Sequence, residues 1–150
     1  MSKVSKDSPL SEITLRRYEK PSELSERDKI KKICLSLGLL QPGDSRDIIV
    51  DILGVLLEHS KNKSFLSSEQ ITSYVVDTRK ELNLPLKGIA SSNIRRQTKR
   101  LKDLFIIENI NNKYRITEFD SLDNIFQEKI KPYYIQTIIS RIQDYLKTIK

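Results

Sequence analysis

Residues 26–37 form the first stretch of the chain in which apolar positions follow a regular pattern. The apolar positions lie at i, i+3, i+4 and i+7, which is the spacing of one face of an α-helix. They are Ile30, Ile33, Cys34 and Leu37. Gly38 is suited to end this helix, because glycine readily adopts the left-handed backbone conformation common at helix C-termini. The pattern predicts an amphipathic helix with its thiol buried and inert.

Residues 46–59 are apolar on more than one side. A helix with that pattern is expected to lie buried between neighbours and to form the pillar of the core. The turn before it offers Asp44 or Ser45 as the N-cap. His59 lies at the other end, where an imidazole interacts favourably with the helix dipole, and we expect that role for it.

Residues 65–82 combine a short extended piece with another helix. Phe65 and Leu66 are apolar and predict a few residues of strand. Ser67 and Gln70 then have the spacing of a capping box, so a helix is expected from there to about residue 82. Residues 83–90 contain proline and glycine and predict a turn.

The next helix, residues 91–103, is predicted to have an apolar side and a basic side. Each residue turns by about 100° around the axis, and the side centred on Ile94 collects Gln97, Thr98, Leu101 and Phe105. The opposite side carries hydroxyl, amide and cationic groups, namely Ser92, Asn93, Arg95, Arg96, Lys99 and Arg100. We expect the first side to pack on the core and the second to face a partner, with Ser91 or Ser92 as the N-cap.

From residue 105 to residue 117 the pattern becomes extended. Two β-prone runs flank Asn111 and Asn112. Asparagine tolerates positive φ angles better than most residues, so the pair predicts a tight β-hairpin. Lys113 and Arg115 should then lie near its tip, while one side of the ribbon packs on the helices.

Residues 119–150 are predicted to be helical, with a break or restart at Pro132. Apolar residues at steps of three and four then form an a/d seam. The seam consists of Ile135, Ile138, Ile142, Tyr145 and Ile149. It favours a homodimer interface, and the alternative is that the stripe folds back on the chain's own core.

Charge is concentrated in the middle of the chain. The chain has 27 basic and 20 acidic residues, for a net charge of +7. Residues 87–115 hold eight basic and two acidic residues, so six of the seven net charges lie there. Such a local positive field is typical of a surface that binds phosphate groups.

The remaining composition narrows the function classes. One cysteine rules out an intrachain disulfide, and one histidine leaves few options for a metal site. No apolar run is long enough for a membrane span and no signal segment is visible, so we expect a cytoplasmic protein. No phosphate loop or nucleophile and base pair is found, so we expect neither an enzyme nor a cofactor.

In the order of these elements, the chain resembles the winged helix-turn-helix superfamily, in the style of small archaeal regulators. The resemblance is strongest in SSNIRRQTKRLKDLFIIENINNKYRIT, residues 91–117. It implies a mainly α fold with a small β-hairpin and additional N- and C-terminal helices. We therefore expect a flexible arm at 1–25, which includes the patch LRRY at 15–18, a winged domain at 26–118 and a helical dimerisation segment at 119–150.

The resemblance also implies that the helix 91–103 enters the major groove of double-stranded DNA, with the hairpin 105–117 as the wing. Residue chemistry agrees, because serine hydroxyls and helix N–H groups bind phosphate, while arginine and asparagine read base edges. The expected DNA contacts are Ser91, Ser92, Asn93, Arg95, Arg96, Lys99, Arg100, Asn112, Lys113 and Arg115. Asn93 and Gln97 have a second interpretation, as packing or capping groups.

The expectation is therefore a sequence-preferring DNA-binding protein, most simply a homodimeric transcriptional regulator associated with the nucleoid. The bland alternative for RRQTKR is a solvated helix face. The main rival function is a winged-helix protein-protein interaction module in a larger nucleic-acid-processing or chromosome-maintenance complex. RNA binding is disfavoured, because no cluster of aromatic residues for base stacking is predicted on a sheet.

Overall fold

The computed structural model describes residues 12–17, 21 and 24–149, which are mainly helical with a small antiparallel sheet. The helices are α1 (Glu26–Ser36), α2 (Ile48–Ser60), α3 (Ser68–Glu81), α4 (Ser91–Asp103), α5 (Leu122–Ile125) and α6 (Gln136–Leu146). The strands are β1 (Leu66–Ser67), β2 (Ile107–Ile110) and β3 (Lys113–Ile116). A 3₁₀ turn at Thr117–Phe119 follows β3, and a π-helix at Phe126–Ile135 joins α5 to α6. The predicted mainly helical class with a small hairpin is confirmed.

Helix α2 is the centre of the core. It packs against α1, α3, α4 and β3. Its apolar residues are buried on several sides, as the absence of a polar face predicted. The core residues that it supplies are Ile48, Ile49, Val50, Ile52, Leu53, Val55 and Leu56.

The hairpin forms where the sequence placed it and gains a third strand. β2 and β3 pair antiparallel with Ile107 opposite Ile116, and β1 pairs with the other edge of β3. Asn111 and Asn112 both have positive φ angles, 53° and 63°. Positive φ at both central residues matches the right-handed twist of the strands, which is why Asn-Asn suits a two-residue hairpin.

Helix caps agree with the sequence at two ends and differ at two others. Ser67 and Gln70 form the predicted capping box of α3, and Gly38 ends α1 with a φ of 74°. The N-cap of α2 is Asp47, not Asp44 or Ser45, because α2 begins later than predicted. The N-cap of α4 is Ala90, not Ser91 or Ser92, and no side chain caps that end.

A buried ion cluster, formed by Arg27, Asp47, Asp51 and Arg79, ties three helices together. Arg79 is 1 % exposed and donates from Nη1 to Asp47 Oδ1 at 3.0 Å and to Asp51 Oδ2 at 2.6 Å. Arg27 on α1 donates to the other oxygen of each carboxylate, Asp47 Oδ2 and Asp51 Oδ1, at 3.0 Å, and also to Asp51 Oδ2 at 3.2 Å. Asp51 of α2 and its N-cap Asp47 are thus each bound by two guanidinium groups, and such pairing is the condition under which buried charges are tolerated.

The cluster also reaches the turn that leads into α4. Arg79 Nε donates to the carbonyl oxygen of Pro85 at 2.7 Å. Burial raises the pKa of Asp47, whereas the hydrogen bonds and positive charges of Arg27 and Arg79 lower it. The lowering effects together exceed the effect of burial, so the pKa of Asp47 lies below the usual range. Asp47 therefore stays ionised and available to both guanidinium groups at neutral pH.

The C-terminal helices run on without the break predicted at Pro132. Pro132 lies inside the π-helix, which passes directly into α6. A proline cannot donate a backbone hydrogen bond, and the wider π turns accommodate it without ending the helix. Ile125 and Ile130 are buried on the domain, whereas every residue of α6 is exposed. The described residues contain no helix long and apolar enough to cross a membrane.

The arm predicted at 1–25 lies partly outside the described residues, as does the last residue of its LRRY patch. The described piece 12–17 runs along the C-terminal end of α1. There the Thr14 N–H donates to the Ser36 carbonyl oxygen at 2.9 Å and Arg16 Nη2 donates to the Leu35 carbonyl oxygen at 3.3 Å. Leu15 is fully exposed.

Replacing Arg79 with methionine should destabilise the fold by about 3–5 kcal/mol, because two buried carboxylates would then share one guanidinium. The measurement is urea unfolding followed by far-ultraviolet circular dichroism. Lys61→Ala is the control, since it removes only an exposed pair with Glu58 and should cost less than about 1 kcal/mol. Equal stability of the Arg79→Met variant and the wild type would show that the cluster does not hold the helices.

Candidate functional site

The inner side of α4 anchors it to the core. Ile94 and Leu101 are completely buried, and Thr98 is buried with its hydroxyl donating to the Arg95 carbonyl oxygen at 2.9 Å. The predicted inward face is therefore confirmed for these three residues. Because that side is fixed by packing on the core, the opposite side of α4 has a defined orientation.

The outer side of α4 presents unpaired cations. Arg95 and Arg96 are exposed, and within the described part of the chain their side chains form no hydrogen bond or ion pair. Lys102 is exposed as well, a position that the sequence analysis did not include among the candidates. Lys99 pairs with Asp103 at 3.0 Å, but both side chains are exposed, so this pair is weak and open to exchange.

The N-terminal end of α4 adds hydroxyl and N–H groups to this side. Ser91 and Ser92 are exposed residues of the first turn, and their N–H groups have no acceptor within the helix. No side chain caps this end. The end therefore carries the partial positive charge of a helix N-terminus without a protein group to neutralise it.

Three polar residues of α4 form a chain of hydrogen bonds along its flank. Arg100 donates to Gln97 Oε1 at 2.8 Å, Gln97 donates to Asn93 Oδ1 at 3.1 Å, and Asn93 donates to the Gly88 carbonyl oxygen at 2.7 Å. Arg100 also donates to the carbonyl oxygen of Gly38 at 3.1 Å. The chain ties α4 to the loop after α1 and to the turn before α4. For Asn93 and Gln97, the structure places the side chains as the packing interpretation described.

Gly88 must be glycine for this chain to form. Its φ is 83°, and a Cβ atom there would lie 2.9 Å from Asn93 Nδ2, so the Asn93 amide would have to shift to make room for it. The left-handed backbone adds strain for any other residue at this position.

Arg115 braces the base of the hairpin instead of extending from its tip. Its guanidinium carbon lies 5.1 Å from the Phe65 ring centre and 4.8 Å from the Phe119 ring centre. Its Nε donates to Glu108 Oε2 at 2.7 Å, and the same oxygen accepts from the Glu118 N–H at 3.1 Å. These contacts hold both strands to the segments that flank the sheet.

The exposed charge at the tip is Lys113, beside Asn112. Strand pairing places Lys113 opposite Ser67, the N-cap of α3. Both acidic residues of the 87–115 stretch are engaged locally, Asp103 with Lys99 and Glu108 with Arg115. The local positive field therefore rests on Lys87, Arg95, Arg96, Lys102 and Lys113, which are exposed and unpaired among the described residues.

The other chemically interesting side chains have structural partners. His59 packs against Tyr74 with ring centres 4.4 Å apart and ring planes tilted by 53°, and its Nδ1 lies 2.9 Å from the Val55 carbonyl oxygen. Burial raises the pKa of the Cys34 thiol to about 12, so it stays protonated at neutral pH. Among the described residues, no group of three or more His, Cys, Asp or Glu side chains is placed to hold a metal ion.

Comparison with protein-family models, with curated proteins and with solved structures gives no match for this chain.

Arg115→Ala should loosen the hairpin base, because it removes a charge-assisted hydrogen bond and two ring contacts that together are worth about 1–2 kcal/mol. The measurement is amide hydrogen exchange of residues 107–116 together with urea unfolding. Lys113→Ala, at the exposed tip, is the matched control and should leave exchange at the base of the hairpin unchanged. Unaltered protection in the Arg115→Ala variant would contradict the bracing role.

Proposed function

We propose that this protein binds double-stranded DNA as a winged helix-turn-helix protein and acts as a transcriptional regulator. In this proposal α3 and α4 are the helix-turn-helix pair, α4 lies in the major groove, and the β2–β3 hairpin is the wing. The chain order α2, β1, α3, α4, β2, β3, with β3 in the middle of the sheet, supports it. Binding to DNA would place the protein in the cytoplasm, on the nucleoid.

One observation carries the proposal. α4 buries its apolar side completely, yet its opposite side presents Arg95 and Arg96, which have no partner among the residues that the structure describes. The two acidic residues of this stretch, Asp103 and Glu108, are paired with Lys99 and Arg115 and do not neutralise these two arginines. An exposed helix with free guanidinium groups fits the major groove in width and in chemistry.

The exposed groups have distinct proposed roles. Arg95 and Arg96 read base edges, since a guanidinium donates two hydrogen bonds to the O6 and N7 atoms of guanine. Ser91 and Ser92 bind a phosphate with their hydroxyl and N–H groups. Lys113 and the lysines of α4 contact the backbone, where they contribute affinity without sequence preference.

Three residues expected to touch DNA receive a supporting role instead. Asn93 and Arg100 hold α4 against the neighbouring loops, and Arg115 holds the wing. Their side chains are half-buried, so each would have to give up a protein contact in order to reach DNA. The proposed reading surface is therefore narrower than the ten residues that the sequence indicated.

The proposal includes a homodimer formed through α6. Ile138, Ile142 and Tyr145 are exposed on this helix, which leaves them accessible to a second copy. Two-fold pairing would present two copies of α4 to DNA, as in regulators whose half-sites lie about 34 Å apart.

A second function has one observation in its favour. Tyr74, Leu82 and Leu86 are exposed apolar residues on α3 and on the turn that follows. They suit a winged domain that contacts protein within a larger nucleic-acid-processing or chromosome-maintenance complex. DNA binding uses the outer side of α4, whereas this role uses α3 and the turn that follows it. The variants of Arg95 and Arg96 described next therefore separate the two functions.

Replacing Arg95 and Arg96 together with alanine should weaken binding to a specific duplex by tenfold or more, because each bidentate contact is worth about 1–3 kcal/mol. Preference among sequences should weaken with it. Fluorescence anisotropy with labelled duplexes measures both quantities. The control is Lys131→Ala with Lys147→Ala, which removes the same charge from exposed positions elsewhere. An equal loss of affinity in both double variants would show that only net charge matters. No loss of affinity in either variant would contradict the placement of α4 in the major groove.

Replacing Ile142 with glutamate should convert a dimer into a monomer, because it places like charges in the α6 seam. Light scattering at fixed concentration measures the mass. Ser140→Glu adds the same charge on the opposite side of α6 and should leave the dimer intact. A dimeric Ile142→Glu variant would place the interface outside α6.

A further inference from the structure

We propose that the two copies of α6 pair antiparallel, with each domain at an opposite end of the helix pair. This inference rests on the proposed homodimer and specifies its geometry. The observation behind it is an asymmetry between the two flanks of the apolar seam, both of which are exposed along α6 and in the turn at 147–149 that follows it.

The seam has a wide apolar flank on one side only. With Ile135, Ile142 and Ile149 at position a of the heptad and Ile138 and Tyr145 at position d, the e positions are Ile139 and Leu146. These two are 42 % and 63 % exposed, as open as the seam itself. The g positions on the other flank are Arg141 and Thr148, which are polar.

Helix direction decides what each flank meets. In a parallel pair, e positions of one helix face g positions of the other. Leu146 would then lie against Arg141 of the second copy. On both flanks the apolar side chain would partly desolvate the cation, which is unfavourable. In an antiparallel pair, e faces e and g faces g. One flank then becomes entirely apolar and the other entirely polar.

A single antiparallel register pairs the four exposed seam residues from Ile138 to Ile149, while the half-buried Ile135 lies beyond the paired layers. Ile142 packs on Tyr145 of the second copy, and Ile138 packs on Ile149 of the second copy. Ile139 then lies beside Leu146 of the second copy on the apolar flank. Every layer occurs twice, because the two-fold axis passes between residues 143 and 144, so the surface is self-complementary.

Charge is complementary in the same register. Arg141 of one copy lies about 3 Å along the axis from the level of Asp144 of the other, within reach of a guanidinium on a long side chain. Arg141 faces Thr148 on the polar flank and meets no cation there. Neither Arg141 nor Asp144 has an ion-pair partner among the described residues, so both are available to the second copy.

The antiparallel arrangement has a consequence for DNA binding. α6 continues the π-helix that begins on the domain. Two antiparallel copies therefore carry their domains at opposite ends, separated by at least the length of α6, about 16 Å for 11 residues. A parallel pair would bring both domains to the same end.

Cysteine cross-linking tests the direction. Cys34 is buried and is the only native cysteine, so it does not compete. Ile138→Cys and Ile149→Cys are made separately, at positions 39 % and 76 % exposed in the single chain, so neither disturbs the fold. One variant carries a tag that changes its size, and the two are oxidised mildly, alone and mixed. Ser140→Cys, on the outer side of α6, measures random collisions.

Antiparallel pairing predicts a mixed disulfide dimer at least tenfold above the Ser140→Cys background, with each variant alone at background. Two copies of either position would lie about 16 Å apart along the axis, beyond the span of a disulfide. Efficient cross-linking of each variant with itself would overturn the proposal in favour of a parallel pair. Background cross-linking throughout would also overturn it, whether the protein is monomeric or dimeric by light scattering. No DNA is present, so a failure here is distinct from a failure of DNA binding.

Discussion

The fold depends on buried ion pairs between helices that are far apart in sequence. Asp47 and Asp51 lie at the N-terminal end of α2, and each is bound by Arg27 from α1 and by Arg79 from α3. Carboxylates and guanidinium groups at such depth are tolerated only together, because removing one member leaves the buried charges of the opposite sign to share a single counter-ion. Arg79 also binds the Pro85 carbonyl oxygen. The cluster therefore fixes both the packing of three helices and the path of the turn that leads into α4.

The basic residues of the 87–115 stretch have two roles. Some hold α4 and the hairpin in place, and others are exposed on the surface that results. The Arg100 guanidinium donates to the Gly38 carbonyl oxygen, and the Arg115 guanidinium donates to the Glu108 carboxylate. Arg95 and Arg96 have no protein partner in the described part of the chain. The supporting arginines hold α4 and the hairpin in place, which allows the free ones to be presented at fixed positions. Such preorganisation lowers the entropy lost when a rigid surface binds its partner.

Local chemistry predicted most elements, and distant partners decided what it missed. The α1 stripe, the capping box of α3 and the Asn-Asn turn each depend on neighbours within a few residues, so the sequence showed them. The sequence analysis did not single out Arg79, because its partner Asp47 lies 32 positions away. Arg100 looked like a DNA contact because its partner Gly38 lies 62 positions away. The break predicted at Pro132 was wrong for another reason, since a π-helix accommodates the proline.

In the proposed DNA-binding function, the exposed α6 seam forms a dimer with two-fold symmetry, and each copy contacts DNA through the free face of α4 and the wing. Selection of bound sequences from a random duplex pool, at two salt concentrations, tests that claim most directly. An enriched inverted repeat is the predicted result, because two identical faces related by a two-fold axis read the same half-site on opposite strands. Retained enrichment at the higher salt would further separate base reading from phosphate attraction. A pool without enrichment, from a protein that binds no duplex at either salt, would contradict the claim.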